Sequence, residues 1–276
     1  MIERDLHTHT IYCDGLSTPE EMVVAAIDAG LKEIGISGHS YTYFDDSFCM
    51  SLEGTEQYCR EIRALKEKYK DQINVRLGIE YDYYSEFDAS AFDYIIGSVH
   101  YVKCAKQEDA IDGVVIYGDD AYISVDWTAE TTLAAIDRYY GGDSDALAEA
   151  YFEVVADIYR KTRCDIVGHF DLLTKFNEQV PVFDMSSERY VVAYKKAVDR
   201  IIADGCKLFE INTGAITRGY RTTPYPSEDI REYIRSKGGE FIYSSDSHDA
   251  ETIGRSLALA TQSAHVISPD GLLQMR

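Results

Sequence analysis

Asp5-Leu6-His7-Thr8-His9-Thr10 reads as the first β-strand of the chain. Side chains at i and i+2 of a strand leave on the same side, so His7 and His9 present two imidazoles together. Two neutral imidazoles on a stiff backbone make half of a first-row metal site. A single His-x-His is equally well a pair of histidines on a half-exposed strand, and the rest of the chain decides between the two.

Outward from that strand, Cys13-Asp14-Gly15 makes a turn. Thr18-Pro19-Glu20-Glu21 then has the pattern of a helix start, with Thr18 as N-cap, Pro19 in the first turn and Glu21 completing a capping box. The second strand, 31–38, ends on His39, and a solvated helix over about 53–71 carries one buried stripe at Ile62 and Leu65. Strand 73–81 delivers Glu80. Residues 92–99 form a near-continuous apolar run, suited to a strand covered on both faces, and end on His100. Residues 101–124, with Gly113, Gly118 and paired aspartates, read as a long surface excursion that helps build a site, with Tyr117, Tyr122 and Trp127 as candidate lid residues. Helices over about 129–140 and 145–162 lead to a strand at 165–168 that ends on His169 and Asp171. A helix at 187–203, a strand at 207–212, a helix at 227–236 and a strand at 240–244 follow, the last running into Asp246 and His248 with Asp249 as the next N-cap. A final helix and a short strand around His265–Ser268 close the pattern.

Alternating strands and helices predict parallel strands with helices outside. His7/His9, His39, Glu80, His100, His169 and Asp246/His248 each fall at the C-terminal end of a different predicted strand. In a barrel those ends converge on one mouth, whereas an open doubly wound sheet spreads them along an edge. The expectation is therefore an α/β barrel of about seven parallel strands, with residues 1–276 as a single domain. Of the seven histidines only His265 lies outside the pattern.

Composition narrows the function. With 276 residues and 45% hydrophobic content the chain can bury a sizeable core, and a formal charge of −21 repels polyanions and argues against gripping nucleic acid. A small anionic substrate needs local positive charge, which divalent metals supply. Six scattered cysteines (13, 49, 59, 104, 164, 206) make neither a zinc knuckle nor a dense disulfide framework. No apolar run reaches the roughly 20 residues of a membrane span, so a reduced, cytoplasmic protein is expected.

Asp5-Leu6-His7-Thr8-His9, Ile36-Ser37-Gly38-His39, Gly78-Ile79-Glu80, Gly97-Ser98-Val99-His100, Gly168-His169-Phe170-Asp171 and Ser245-Asp246-Ser247-His248 resemble the successive motifs of the PHP (polymerase and histidinol phosphatase) superfamily. The resemblance implies a distorted (β/α)7 TIM-like barrel with a trinuclear metal centre. It implies one metal on His7, His9, Glu80 and Asp246, a second on a bridging Glu80 with His100 and His169, and a third on Asp14, His39 and His248. Some relatives carry His where this chain has Asp14, and an oxygen ligand there points toward manganese or iron over zinc at that site. Asp126-Trp127, Tyr139-Tyr140-Gly141-Gly142-Asp143, Glu210-Ile211-Asn212-Thr213-Gly214 and Pro224-Tyr225-Pro226-Ser227 are similar to the connecting segments of the histidinol-phosphate phosphatase branch.

That branch implies hydrolysis of L-histidinol phosphate to L-histidinol and phosphate, a late step of histidine biosynthesis. A water bridging two metals is acidified enough to attack phosphorus near neutral pH, and the metals neutralise the phosphate oxygens. Glu80 is the expected metal bridge. Asp246 and Asp14 are candidates to deliver the proton to the leaving alkoxide. Arg218 and Lys175, each six residues past a strand-end residue, match basic residues that bind substrate phosphate in this branch. Two rival readings are a related barrel acting on another phosphoester or on nucleic-acid ends, and a metal-binding protein without turnover. The acidic charge weighs against the nucleic-acid version, and the complete ligand set against the second.

Overall fold

The structure, a computed structural model, describes residues 2–107 and 111–253. Its elements in chain order are β1 (Arg4–Asp5), α1 (Pro19–Asp28), β2 (Glu33–Ile36), α2 (Leu52–Tyr69), β3 (Asn74–Asp82), β4 (Tyr94–Ser98), β5 (Tyr101–Ala105), β6 (Val114–Tyr117) and β7 (Asp120–Ser124). They continue with α3 (Ala129–Tyr140), α4 (Ser144–Thr162), β8 (Ile166–Val167), a 3₁₀ turn at Leu172–Thr174, α5 (Glu188–Asp204), β9 (Leu208–Asn212), α6 (Gly214–Thr217), α7 (Glu228–Ser236) and β10 (Glu240–Ser244). Seven strands run parallel in the order β1-β2-β3-β4-β8-β9-β10. Past the strand ends the two edges meet: His9 N–H donates to the Ser247 carbonyl at 2.8 Å, and Ser245 N–H to Asp5 Oδ1 at 3.1 Å. The result is a nearly closed barrel of the expected (β/α)7 kind.

The alternation of side chains along each strand sorts the layers. Val75, Leu77 and Ile79 of β3 pack outward with Met22 and Val23 of α1 and Tyr58 and Ile62 of α2. On the other side, Phe209 and Ile211 of β9 and Phe241 and Tyr243 of β10 pack with Phe152 and Val155 of α4, Tyr194 and Val198 of α5 and Ile230 of α7. The intervening residues face the barrel interior. Its lower layer is an apolar plug of Leu6, Tyr94, Ile96, Ile166, Leu208 and Ile242. Tyr94 lies across the plug with its hydroxyl donating to the Leu6 carbonyl. A Cβ at Gly35 or Gly78 would come within 2.0 and 2.2 Å of the Tyr94 side chain, so those positions must be glycine.

Thr18 caps α1 as its sequence implies: its side chain accepts from the Glu21 N–H at 3.3 Å and Glu21 Oε2 accepts from the Thr18 N–H at 2.8 Å. Asp249 Oδ1 accepts from the Glu251 N–H at 3.0 Å, as an N-cap of the helical turn at 250–253. Three expectations need correction. The first strand is only Arg4–Asp5, because its neighbour β2 ends its pairing at Asp5; His7 and His9 lie just beyond it, still side by side with ring centroids 5.1 Å apart. Residues 101–124 are no irregular excursion but a three-stranded antiparallel sheet, β5-β7-β6, with β6 and β7 joined through Gly118-Asp119 and Gly118 at φ 63°. Short strands around glycine turns look irregular in sequence, yet this is the chemistry of a two-residue hairpin. Tyr122 is no lid residue; it is buried and stacks on Phe44 with centroids 3.7 Å apart, whereas Tyr117 and Trp127 are exposed. The helix and strand expected near His265–Ser268 lie outside the described residues. Among the described residues no helix is long and apolar enough to cross a membrane.

Candidate metal centre

The upper layer of the barrel interior is polar. All nine candidate ligands come together there: His7 and His9 after β1, Asp14 in the following turn, His39 after β2, Glu80 on β3, His100 after β4, His169 after β8, and Asp246 and His248 after β10. Glu80 is the hub. The ring nitrogens of His7, His9, His39, His100 and His169 approach its carboxylate at 3.3, 3.5, 2.8, 3.3 and 2.8 Å. Around it the donor atoms form three groups: His7, His9 and Asp246; His39, Glu80 and His100; and His9, Asp14, His39 and His248. His39 and His9 therefore each belong to two groups, which the ligand sets implied by resemblance had not joined.

The donor set fits divalent cations. His7 Nε2 and His9 Nε2 are buried without a hydrogen-bond partner, and both face the carboxylates of Glu80 and Asp246. Buried polar atoms are costly unless something pairs with them, and a cation is what imidazole nitrogens and carboxylates jointly accept. Asp246 holds φ at 52°, a left-handed conformation that non-glycine residues adopt rarely and that clusters at functional sites.

Electrostatics sort the protons. Burial alone would raise Glu80, but His39, His7 and His100 hold its carboxyl well below the usual range. Burial, with His248 and His39 close by, drives His9 down to about 3, leaving it neutral and able to ligate. At His7 burial works in the same direction but is outweighed by Glu210, Glu80 and Asp246, which raise it. Burial also opposes ionisation of Asp14 and Asp246, yet His39 and His248 around the first, and Arg218 and His7 around the second, keep both well below ordinary carboxyls.

Four contributors escaped the sequence reading. Glu210, fully buried on β9, accepts from His7 Nδ1 at 2.8 Å and from the His169 N–H. Asp82 Oδ2 lies 3.1 Å from His100 Nδ1. Such carboxylates behind ligating imidazoles fix the ring and its tautomer. Cys13 Sγ lies 3.6 Å from His9 Nδ1, its thiol pushed up to about 12 by burial and Asp14. Asp126 bonds Lys175. Glu210 is a charge inside the strand read at 207–212 and Asp82 directly follows the strand read at 73–81, and those placements were the available sign; nothing in the sequence marked Cys13.

Arg218 and Lys175 both reach the mouth, a cavity of about 540 Å³. Arg218 donates to Asp246 Oδ2 at 3.1 Å and to the Asp246 carbonyl at 2.9 Å, and Lys175 Nζ to Asp126 Oδ2 at 3.0 Å. The sheet β5-β7-β6, the turn leading into β6 and the segment after β7 close the other side of the cavity with Asp112, Val115, Asp126 and Trp127.

The PHP domain family profile matches residues 5–214. A Deinococcus radiodurans protein named probable histidinol-phosphatase is 27% identical over 266 residues, 91% of this chain and 88% of that protein. The histidinol-phosphatase of Bacillus subtilis is 25% identical over 281 residues, covering 92% of this chain and 96% of its own. The crystal structure of histidinol phosphate phosphatase from Lactococcus lactis, complexed with zinc, L-histidinol and phosphate, superposes with a TM-score of 0.67 at 19% identity, over 99% of this chain and 95% of that one.

Proposed function

The chain belongs to the PHP domain family, and from that premise we propose that it is a cytoplasmic, metal-dependent phosphomonoesterase that hydrolyses L-histidinol phosphate to L-histidinol and phosphate. The observation that carries the reading is the convergence of five imidazoles on one buried carboxylate, Glu80. The substrate is indicated by relatives named histidinol-phosphatase that align over most of both chains.

In this reading the nine rim residues would hold three divalent ions, of zinc, manganese or iron, with Glu80 as the residue that would serve two of them. When bound, such ions supply Lewis acidity toward phosphoryl oxygens and activate water at neutral pH. Arg218 and Lys175 give the phosphate its positive clamp at the mouth, Arg218 with a planar fork and Lys175 with a point charge. Each is tethered to a carboxylate, so the incoming anion exchanges partners with Asp246 and Asp126 instead of ordering free side chains. Asp14 and Asp246 act as holders and not as acids: their neighbours hold both carboxyls well below the ordinary range, and a bound cation would hold them lower still. On the far wall, Asp112 beside the exposed Trp127 indole, which donates to it at 3.2 Å, suits a cationic aromatic group such as the organic part of histidinol.

Phosphate release is the test, from L-histidinol phosphate, a set of other small phosphomonoesters and a 5′-phosphorylated single-stranded oligonucleotide, with and without chelator. The expected result is fastest release from L-histidinol phosphate, abolished by chelation and restored by added metal. Preferential release from the oligonucleotide or from another small ester would replace the substrate. Full activity in chelator would remove the metals.

A further inference from the structure

We propose that Asn212 is a positioning residue that ties the carboxylates of Glu210 and Asp246 together beneath the rim and thereby sets its metal affinity; this rests on the metal-dependent reading above. Glu210 and Asn212 are successive inward residues of β9, and Asp246 follows β10, whose Ser244 stands beside Asn212 in register. All three are buried, at 0, 0 and 6% exposure. The Asn212 amide nitrogen donates to Glu210 Oε1 at 2.9 Å and to Asp246 Oδ2 at 3.2 Å, so one NH₂ group bridges two acids that would otherwise repel.

The orientation of the amide is dictated by its surroundings. Asn212 Oδ1 accepts from the Gly214 N–H at 2.8 Å, which leaves only the NH₂ end to face the acids. The main chain is equally committed: its N–H and carbonyl both pair with Tyr225, at 2.9 and 3.0 Å. Gly214 is part of the arrangement, since a Cβ there would come within 2.7 Å of Asp246 Oδ2 and 2.8 Å of Arg218.

The two acids it joins stand behind different parts of the rim. Glu210 orients His7 through Nδ1 and holds the His169 main chain, while Asp246 lies against His7, His9 and Arg218. A donor shared between them fixes both carboxylates at once, one behind a ligating ring and one in the rim itself. Removing a partner behind ligands characteristically weakens metal binding by tens-fold without touching the metal.

The test uses the full chain stripped of metal and titrated with zinc alone against a chromophoric chelator. Asn212→Leu keeps the size and removes the donors; Asn212→Ala removes both; Thr213→Val alters the adjacent buried side chain, which bonds the Ser244 carbonyl and no acid. The expected result is zinc affinity weaker by roughly ten- to a hundredfold in both Asn212 variants, with kcat reduced, KM within about threefold of wild type, and Thr213→Val binding zinc like wild type. Unchanged zinc affinity in folded Asn212 variants would overturn the proposal while leaving the metal-dependent reading intact. Unfolded metal-free Asn212 variants beside a folded Thr213→Val would also overturn it, since Asn212 would then hold the barrel. Absence of tight zinc binding by the wild-type chain would overturn both.

Discussion

Leu208 and Glu210 are two residues apart on β9 and point into the same barrel. Leu208 packs with Leu6, Tyr94, Ile96, Ile166 and Ile242, whereas Glu210 meets His7, His169 and Asn212. One pleat, about 6–7 Å along the strand, separates a layer that stabilises from a layer that is costly to fold. Each large apolar side chain in the plug contributes on the order of 1.5–3 kcal/mol by leaving water. The layer above buries carboxylates and imidazoles with unpaired atoms, which is tolerable where a bound cation completes them. The difference teaches that the strands carry stability at their lower inward positions and chemistry at their upper ones, so substitutions in the two layers should fail in different ways.

The largest expected effect is in the upper layer. Glu80→Gln should lower kcat by about a thousandfold or more, roughly 4 kcal/mol, and reduce bound metal, while the metal-free protein melts no lower than wild type. Elemental analysis and calorimetry check it; a lower melting temperature with intact metal content would erase the distinction between the layers. Arg218→Ala comes next, with kcat/KM lower by roughly tenfold to a thousandfold, on the order of 1.5–4 kcal/mol. Its tie to Asp246 sharpens the comparison: if the guanidinium serves the rim and not only phosphate, zinc affinity will change together with kcat/KM. Gly78→Ala is the lower-layer counterpart. Its methyl would meet Tyr94 and should cost about 1–3 kcal/mol in denaturant unfolding, with kcat per folded molecule unchanged and stability recovered on adding Tyr94→Leu. Reduced kcat without reduced stability would show that the plug also tunes the chemistry. The smallest effect is expected for Asp14→Asn, about tenfold in kcat or roughly 1.4 kcal/mol, because Asp14 is half-exposed and touches only the outermost group of ligands. A loss equal to that of Glu80→Gln would move the bridge away from Glu80.

The parts of this architecture that local chemistry controls were open to reading. Thr18 and Glu21 announce a capping box, and the helices over 129–140 and 187–203 lie within a residue or two of α3 and α5, because apolar periodicity and capping residues are written into the neighbouring sequence. Strand-end histidines could be placed at one mouth because parallel strands share a direction. The sheet of residues 101–124 could not be read, since its three strands owe their pairing to each other and to Phe44 and Tyr43 from another loop.

By itself, the sequence determined the order of the barrel strands and their helices and put eight of the nine rim residues at strand ends, because a strand-end position and a ligating side chain are both local facts; Asp14, in a turn, entered only through the family resemblance. Only the tertiary structure decided that Glu80 stands within 3.5 Å of five imidazoles, that Glu210 and Asp82 support His7 and His100 from behind, and that Asn212 spans two acids. Each of these joins residues from different strands, at distances set by barrel curvature and register, and register is fixed by packing across the whole sheet and not by any stretch of chain alone.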